Sequence, residues 1–178
     1  MTGPTPGAVL ISAGADRLRR IAPEDRDRLL SWRNQPRIRE ASLTQDEIAP
    51  ETHAAWFARA LTRTDGVWAV FERGARPLGH VNAAAVAAAG APAWKWSFYI
   101  GEADAPPGAG TAMLRLMLRL AVAGPAQTLL AQTLRANARS ERLHEKLGFA
   151  RVGADELSTH WRRDVSAAAS DMDGGETT

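Results

Sequence analysis

The 178-residue chain contains no cysteine, only two lysines (Lys95 and Lys146), one tyrosine (Tyr99) and four histidines. The lack of cysteine excludes disulfides, thiol nucleophiles and thiolate metal ligands. Four scattered histidines do not make a zinc set, and no metal is expected. The longest apolar stretches are broken by Arg or Pro, so no segment has the roughly 20 apolar residues of a membrane-spanning helix. Residues 1–15 lack the basic-then-apolar pattern of a signal peptide, and a cytoplasmic protein without membrane partners is the expectation. The scarcity of lysine is matched by 20 arginines, yet the net charge is only +2. No basic block of five or more occurs, so nothing demands a nucleic-acid partner, whereas a polyanionic small substrate such as a nucleotide would suit the arginines. With 45% apolar residues, the length fits one domain with its own core.

Residues 1–15 are rich in Gly, Pro, Ala and Ser, and so is the segment 166–178; both are expected to be disordered. Between them the patterning predicts one domain over 16–165. Leu18–Ile21 reads as a strand and Pro23–Arg33 as a helix, with Pro23 in its first turn and Glu24 and Asp25 at its positive end. Residues 34–48 read as a polar connection. Pro50–Leu61 follows as a helix whose His53, Phe57 and Leu61 share one face. Val67–Glu72 and Pro77–Val86 flank a turn at Arg73–Arg76, and Trp94–Ile100 is a further strand. Thr111–Ala123 is an apolar helix with Arg115 and Arg119 on one stripe. Leu129–Leu134 is a strand, Ala138–Leu147 a helix with Asn137 as N-cap and Gly148 as C′ residue, and Phe149–Val152 with Leu157–Val165 a closing hairpin.

The densest chemical signal is Pro106-Pro107-Gly108-Ala109-Gly110-Thr111-Ala112-Met113-Leu114. Two glycines after a strand let the backbone approach a ligand, and the helix that follows begins with unpaired amides and a dipole that favours anions. Three phosphate-binding schemes are compatible with such a turn. A P-loop requires Lys-Ser or Lys-Thr after the last glycine, and neither is present. A dinucleotide fingerprint requires Gly or Ala where Met113 stands, with an acidic residue at a set distance beyond, which is also missing. The third scheme holds a pyrophosphate by backbone amides alone.

A second segment, Asn137-Ala138-Arg139-Ser140-Glu141-Arg142-Leu143-His144-Glu145-Lys146-Leu147-Gly148-Phe149, lies at the right distance downstream. Together the two stretches resemble the GCN5-related N-acetyltransferases. The resemblance implies an α/β (α+β) acyl-CoA N-acyltransferase fold, a mixed and mostly antiparallel sheet with helices on both faces, and acetyl-CoA as co-substrate. It further implies that Phe98, Tyr99 and Ile100 hold the pantetheine arm as a pseudo-strand. Gly108, Ala109, Gly110, Thr111 and Ala112 would face the pyrophosphate, and Asn137 would touch the arm as well as capping its helix. One departure is Ala105, where the family usually has Arg or Gln; arginines elsewhere would then help grip the pyrophosphate.

The family commonly places a proton-donating tyrosine where this chain has His144. His144 is therefore a candidate general acid, against the alternative of a helix histidine that only shapes the tunnel, and Tyr99 is a second candidate. The N-terminal motifs Trp32-Arg33-Asn34-Gln35-Pro36 and Ile48-Ala49-Pro50-Glu51-Thr52-His53 are similar to those of one subfamily, the UDP-amino-sugar N-acetyltransferases of pseudaminic acid biosynthesis, linked to flagellin glycosylation. That similarity implies a sugar nucleotide acylated on its 4-amine, Arg33, His53, Asn82 and Trp96 as substrate contacts, and a homodimer as one assembly the family allows. Ribosomal-protein N-terminal acetyltransferases share the Trp-Arg-Asn element. The alternatives are thus another amine acceptor, such as a protein N-terminus or an antibiotic, or a non-catalytic acyl-CoA-binding module. The subfamily's acidic residue on the strand after the glycine helix is Gln132 here, which cannot act as a base and leaves a water chain or His53 to take the ammonium proton.

Overall fold

In a computed structural model, residues 5–87 and 92–165 are described. The strands are β1 (Val9–Ala13), β2 (Asp16–Arg20), β3 (Gly66–Arg73), β4 (Arg76–Val86), β5 (Ala93–Ile100), β6 (Thr128–Leu134), β7 (Ala150–Ala154) and β8 (Ser158–Asp164). The helices are α1 (Arg26–Arg33), preceded by a 3-10 turn at Pro23–Asp25, α2 (Pro36–Glu40), α3 (Pro50–Thr62), α4 (Ala109–Ala123) and α5 (Ala138–Lys146). The strands form one eight-stranded sheet in the order β1-β2-β3-β4-β5-β6-β8-β7. Every neighbour pair is antiparallel except β5–β6.

Strand β3 explains how one sheet serves two cores. Side chains alternate between faces along a strand, so Ala69 and Phe71 enter one cluster while Trp68 and Val70 enter the other. The first cluster holds α4, through Met113, Leu114 and Met117, together with Phe149 and Trp161 beside α5. The second holds α1, α2 and α3, through Leu29, Trp32, Ile38 and Phe57. Arg115 and Arg119 face solvent from α4, matching the polar stripe read in the sequence.

Two differences from the sequence reading stand out. Residues 9–13, expected to be disordered, form strand β1, which pairs with β2; the short Val-Leu-Ile-Ser run is masked by its Gly- and Pro-rich surroundings. Residues 1–4 and 166–178 of the expected disordered segments lie outside the described residues. The connection 34–48 contains α2, started by Pro36 in the first turn, where its missing N–H costs nothing.

A buried ionic knot ties the sheet to the 3-10 turn. Arg19 grips Asp25 with both terminal nitrogens, at 2.6 and 2.8 Å, and Glu72 with Nε at 2.7 Å. Glu72 also accepts from Arg17 Nε at 2.6 Å. Burial alone would raise the Asp25 carboxyl, but the Arg19 hydrogen bonds, the Ala22 amide and the Arg19 and Arg28 charges outweigh it and hold the group below the ordinary carboxylate range. Removing one member of such a buried pair strands the other charge and costs about 3–5 kcal/mol. Asp25→Ala should destabilise the fold by that order in denaturant titration. In the parent, a depressed carboxyl stabilises above its unfolded value of about 3.9 and that stabilisation is lost as pH falls through the lower folded value. The acid limb of unfolding should therefore be shallower in Asp25→Asn.

Candidate active site

The cleft originates where β5 and β6 part. Their parallel pairing is limited to Ala93–Thr128, Trp94–Leu129 and Lys95–Leu130. Beyond Lys95 the strands diverge around a cleft of about 580 Å³, lined by Lys95 to Ile100 on one side and Ala131 to Leu134 on the other. Gly110, Asn137, Ser140 and the α1–α2 corner complete the lining. The Gly101 amide donates to Leu78 O at 2.8 Å. By the alternation of an antiparallel ladder, the main-chain groups of Phe98 and Ile100 point away from β4 and toward this gap.

The corner between α1 and α2 clamps the end of β5. Trp32 Nε1 donates to Glu102 at 2.9 Å, Gln35 to Gly101 O at 3.0 Å, and Arg37 to Ile100 O at 3.0 Å and Gly101 O at 2.5 Å. The Trp32 ring lies directly against Gly101, where any Cβ would collide with it. With Ile100 O taken by Arg37, Phe98 keeps the free main-chain edge along the gap. Asn34 exchanges two 2.9 Å bonds with Ile48 and so holds the intervening loop across the cleft. The Trp-Arg-Asn element is thus largely architectural, and sequence reasoning missed the clamping roles of Gln35 and Arg37.

Gly108 has φ +84°, a left-handed conformation that turns the chain into α4. The Ala109 amide is used by Pro106 O and that of Ala112 by Gly108 O. The unpaired donors of the first turn are therefore Gly110 and Thr111, and no side chain caps them. With their amides engaged in these bonds, Ala109 and Ala112 shape the turn and are not its free donors. Ala105 packs against the core and brings no charge. Asn137 accepts the Ser140 amide at 3.0 Å as the N-cap of α5, leaving its own NH2 for the cleft.

Several expected roles change. His144 is 1% exposed between Trp96, Phe149 and Trp161. Its Nε2 accepts from the Trp96 indole at 3.1 Å, and an indole can only donate. Nδ1 must then carry the proton, which it donates to Ser140 O at 2.8 Å. Both nitrogens are committed and burial lowers the ring's proton affinity, so His144 is not arranged as a general acid. Trp96 lines the cleft wall but is largely buried and gives its indole N–H to that imidazole, so it has no free donor for a substrate. His53 stacks on Phe57 away from the cleft, and Asn82 stands one strand back, opposite Ser97.

Arg33 and Tyr99 do line the cleft. Arg33 Nη2 donates to Thr44 O at 2.7 Å, while its Nη1 is buried without a partner. Burial lowers this guanidinium below its ordinary value, which makes an incoming anion favourable. Tyr99 packs edge-on to Trp32 and beside His80, its hydroxyl donates to Leu29 O at 3.4 Å, and burial raises its phenol well above the ordinary value, so it keeps its proton. Among the described residues, no group of three His, Asp or Glu side chains could hold a metal ion, and no helix is long and apolar enough to cross a membrane.

Comparison with known proteins agrees with this architecture. The acetyltransferase (GNAT) domain family matches residues 17–150. No curated protein matches the sequence significantly. Among solved structures, FdhC, described as a nucleotide-linked sugar GNAT, aligns at TM-score 0.76 and 14% identity over 90% of this chain and 93% of its own. RimL, a ribosomal L7/L12 α-N-protein acetyltransferase in complex with coenzyme A, aligns at 0.74 and 14%, over 90% and 99%. YncA from Salmonella typhimurium, with its cofactor acetyl-CoA, aligns at 0.66 and 20%, over 86% and 95%. At these identities the structural likeness speaks to fold. The family match spans most of the chain, and the protein belongs to the GNAT acetyltransferases: it is an N-acetyltransferase.

Burial also depresses His53 and His80, the latter to about 4. The unfolded chain protonates its histidines near 6.5, and the folded chain resists this. Stability from these three rings is therefore complete above about pH 6.5 and declines as pH falls toward 4. His144→Phe should lower the melting temperature yet leave the midpoints of the kcat–pH profile in place; a lost limb would return His144 to proton transfer.

Proposed function

We propose that the enzyme transfers acetyl from acetyl-CoA to the 4-amino group of a UDP-linked 4-amino-4,6-dideoxy sugar by direct attack. The observation that carries this reading is the charge of the cleft. Arg33, Arg37, Lys95 and Arg139 line it, with no Asp or Glu among the lining residues. The unpartnered Nη1 of Arg33 calls for an anion. A sugar nucleotide brings to these cations a diphosphate, which a protein N-terminus lacks. The similarity of the N-terminal motifs to UDP-amino-sugar acetyltransferases, and the fold shared with FdhC, support the same choice.

The residues present suit acetyl-CoA. Gly110 and Thr111 would supply amides for its pyrophosphate, Arg139 a nearby cation, the Phe98 main chain a strand-like edge for the pantetheine arm, and Asn137 a further donor. When bound, acetyl-CoA supplies an activated thioester. The chain's own residues then orient and exclude water. Tyr99 keeps its proton and holds it only in a long 3.4 Å bond to Leu29 O, so it would have to turn that proton from Leu29 to the leaving sulfur, and Arg33 positions the acceptor by its phosphates.

Thiol release measured with a UDP-linked 4-amino sugar, N-terminal peptides and an aminoglycoside should show turnover of the sugar at least about a hundredfold more efficient in kcat/KM. A hydrogen bond to a charged group contributes about 1.5–3 kcal/mol, so Arg33→Met should raise the sugar's KM roughly ten- to hundredfold with kcat little changed. Tyr99→Phe should instead lower kcat, by about a hundredfold. Turnover of peptides with the sugar inert would overturn the acceptor assignment.

A further inference from the structure

At the apex of the cleft, a hydrogen-bond chain fixes the direction of one amide. The Asp155 carboxylate accepts the amides of Leu157 and Ser158 at 2.9 and 2.7 Å, and lies 3.0 Å from His160 Nε2. It also accepts the Ser158 hydroxyl at 2.6 Å. A carboxylate at this distance only accepts, so the single Ser158 proton is spent there. Ser158 Oγ must then accept from Gln132 Nε2, at 2.8 Å, which turns Gln132 Oε1 toward Lys95 Nζ, 3.0 Å away. Lys95 is the last residue of β5 in register with β6, so this pair stands where the two strands separate.

No carboxylate lines the cleft to remove a proton from an acceptor amine, and His53 lies elsewhere. We propose that Lys95, seated on Gln132, makes the acceptor reactive by electrostatics: its ammonium disfavours a second ammonium at the apex, so the acceptor binds as the free amine. Gln132 Oε1, with a lone pair left beside Lys95, accepts one N–H of that amine and aims its nitrogen along the gap. The acceptor gives its first proton to solvent. The neutral nitrogen then attacks the thioester carbon, the C–N bond forms as the C–S bond breaks, and the second amine proton ends on the departing sulfur. Lys95 touches the acceptor, while Ser158 and Asp155 are positioning residues. The inference rests on an amine being acetylated in this cleft and not on which amine.

The charged surroundings of Lys95 reinforce the effect. Its neighbours in register, Ala84 and Leu130, are apolar. On the same sheet face β8 brings Arg162 opposite Leu130 and His160 opposite Gln132. Helices α1, α2 and α5 contribute Arg33, Arg37 and Arg139 to the cleft, and α3 brings the uncharged Trp56 and Leu61 to the cluster that holds Ala84. Tyr99 lies farther along β5. Asp155, the carboxylate that ends the Lys95–Gln132–Ser158 chain, is engaged by Ser158 and His160.

A neighbouring charge moves a titration by about one unit or more. In Lys95→Met the acid limb of the kcat–pH profile should move up by about one pH unit, so kcat below the midpoint falls about tenfold and rejoins the parent at high pH. The chain has no cysteine, so Lys95→Cys can be alkylated at that site alone. Treatment with 2-bromoethylamine should restore the parent midpoint, and iodoacetamide should not. The acceptor is the UDP-linked 4-amino sugar, or an N-terminal peptide should the peptide be what turns over, which keeps the test separate from the acceptor assignment. An unmoved midpoint with only a raised acceptor KM would reduce Lys95 to an anion contact and overturn the proposal, as would identical behaviour of the two alkylated forms. If Lys95→Met does not fold, as judged by coenzyme A calorimetry, the alkylated pair decides alone.

Discussion

Two parallel strands that pair for three residues and then separate impose the constraint on which this molecule is built. Main-chain N–H and C=O groups deprived of a strand neighbour need another partner. At the parting of β5 and β6 they face a cleft with Gly110, from the start of α4, and the Lys95–Gln132 pair in its lining. The unsatisfied edge along Phe98 therefore asks for an extended ligand, and the bare start of α4 asks for an anion at that ligand's end. Recognition by backbone depends on conformation more than on side-chain identity, which is how a chain with Ala105 in place of a cation can still present the site.

Such an opening persists only if the strands are held apart. The α1–α2 corner does this through Trp32, Gln35 and Arg37, which bind the end of β5 at Ile100, Gly101 and Glu102. On the opposite face, α5 is seated by His144 between Trp96 and Trp161. A histidine at that place is a two-sided spacer: one nitrogen receives an indole proton and the other returns one to the helix backbone. Function and architecture thus share residues, and the arginines divide between the two tasks. Arg19 and Arg37 are absorbed by the fold, whereas Arg33 retains an unsatisfied nitrogen inside the cleft.

Much of the fold was legible because it is written in local signals. The turn at Arg73–Arg76 between two strand-like runs marked β3 and β4, the apolar all-round helix marked α4, and Asn137 with Gly148 bracketed α5. Strand β1 escaped because composition outweighed a four-residue apolar run, and α2 because one turn of helix carries little periodicity, although Pro36 announced it. In the site, Gly110, Asn137, Arg33 and Tyr99, which the resemblance implied, line the cleft. His53 and Asn82 do not line the cleft, whereas Trp96 and His144 line it with their polar atoms turned to each other, the tunnel-shaping alternative for His144. A side chain's direction depends on which face of the sheet it joins, and Trp96 and His144 turned out to satisfy each other. Gln35, Arg37 and the Lys95–Gln132 pair went unnoticed since their contacts span 37 to 66 positions of sequence and no spacing rule reports them.

Coenzyme A should enter the gap between β5 and β6 and meet the amides of Gly110 and Thr111. Amide-resolved NMR during titration with coenzyme A measures this directly. Saturable one-to-one binding is expected, with the largest shifts at Phe98, Gly110 and Thr111 and downfield movement of the latter two as they engage phosphate. Saturable binding whose shifts cluster elsewhere, with these three amides unmoved, would contradict it.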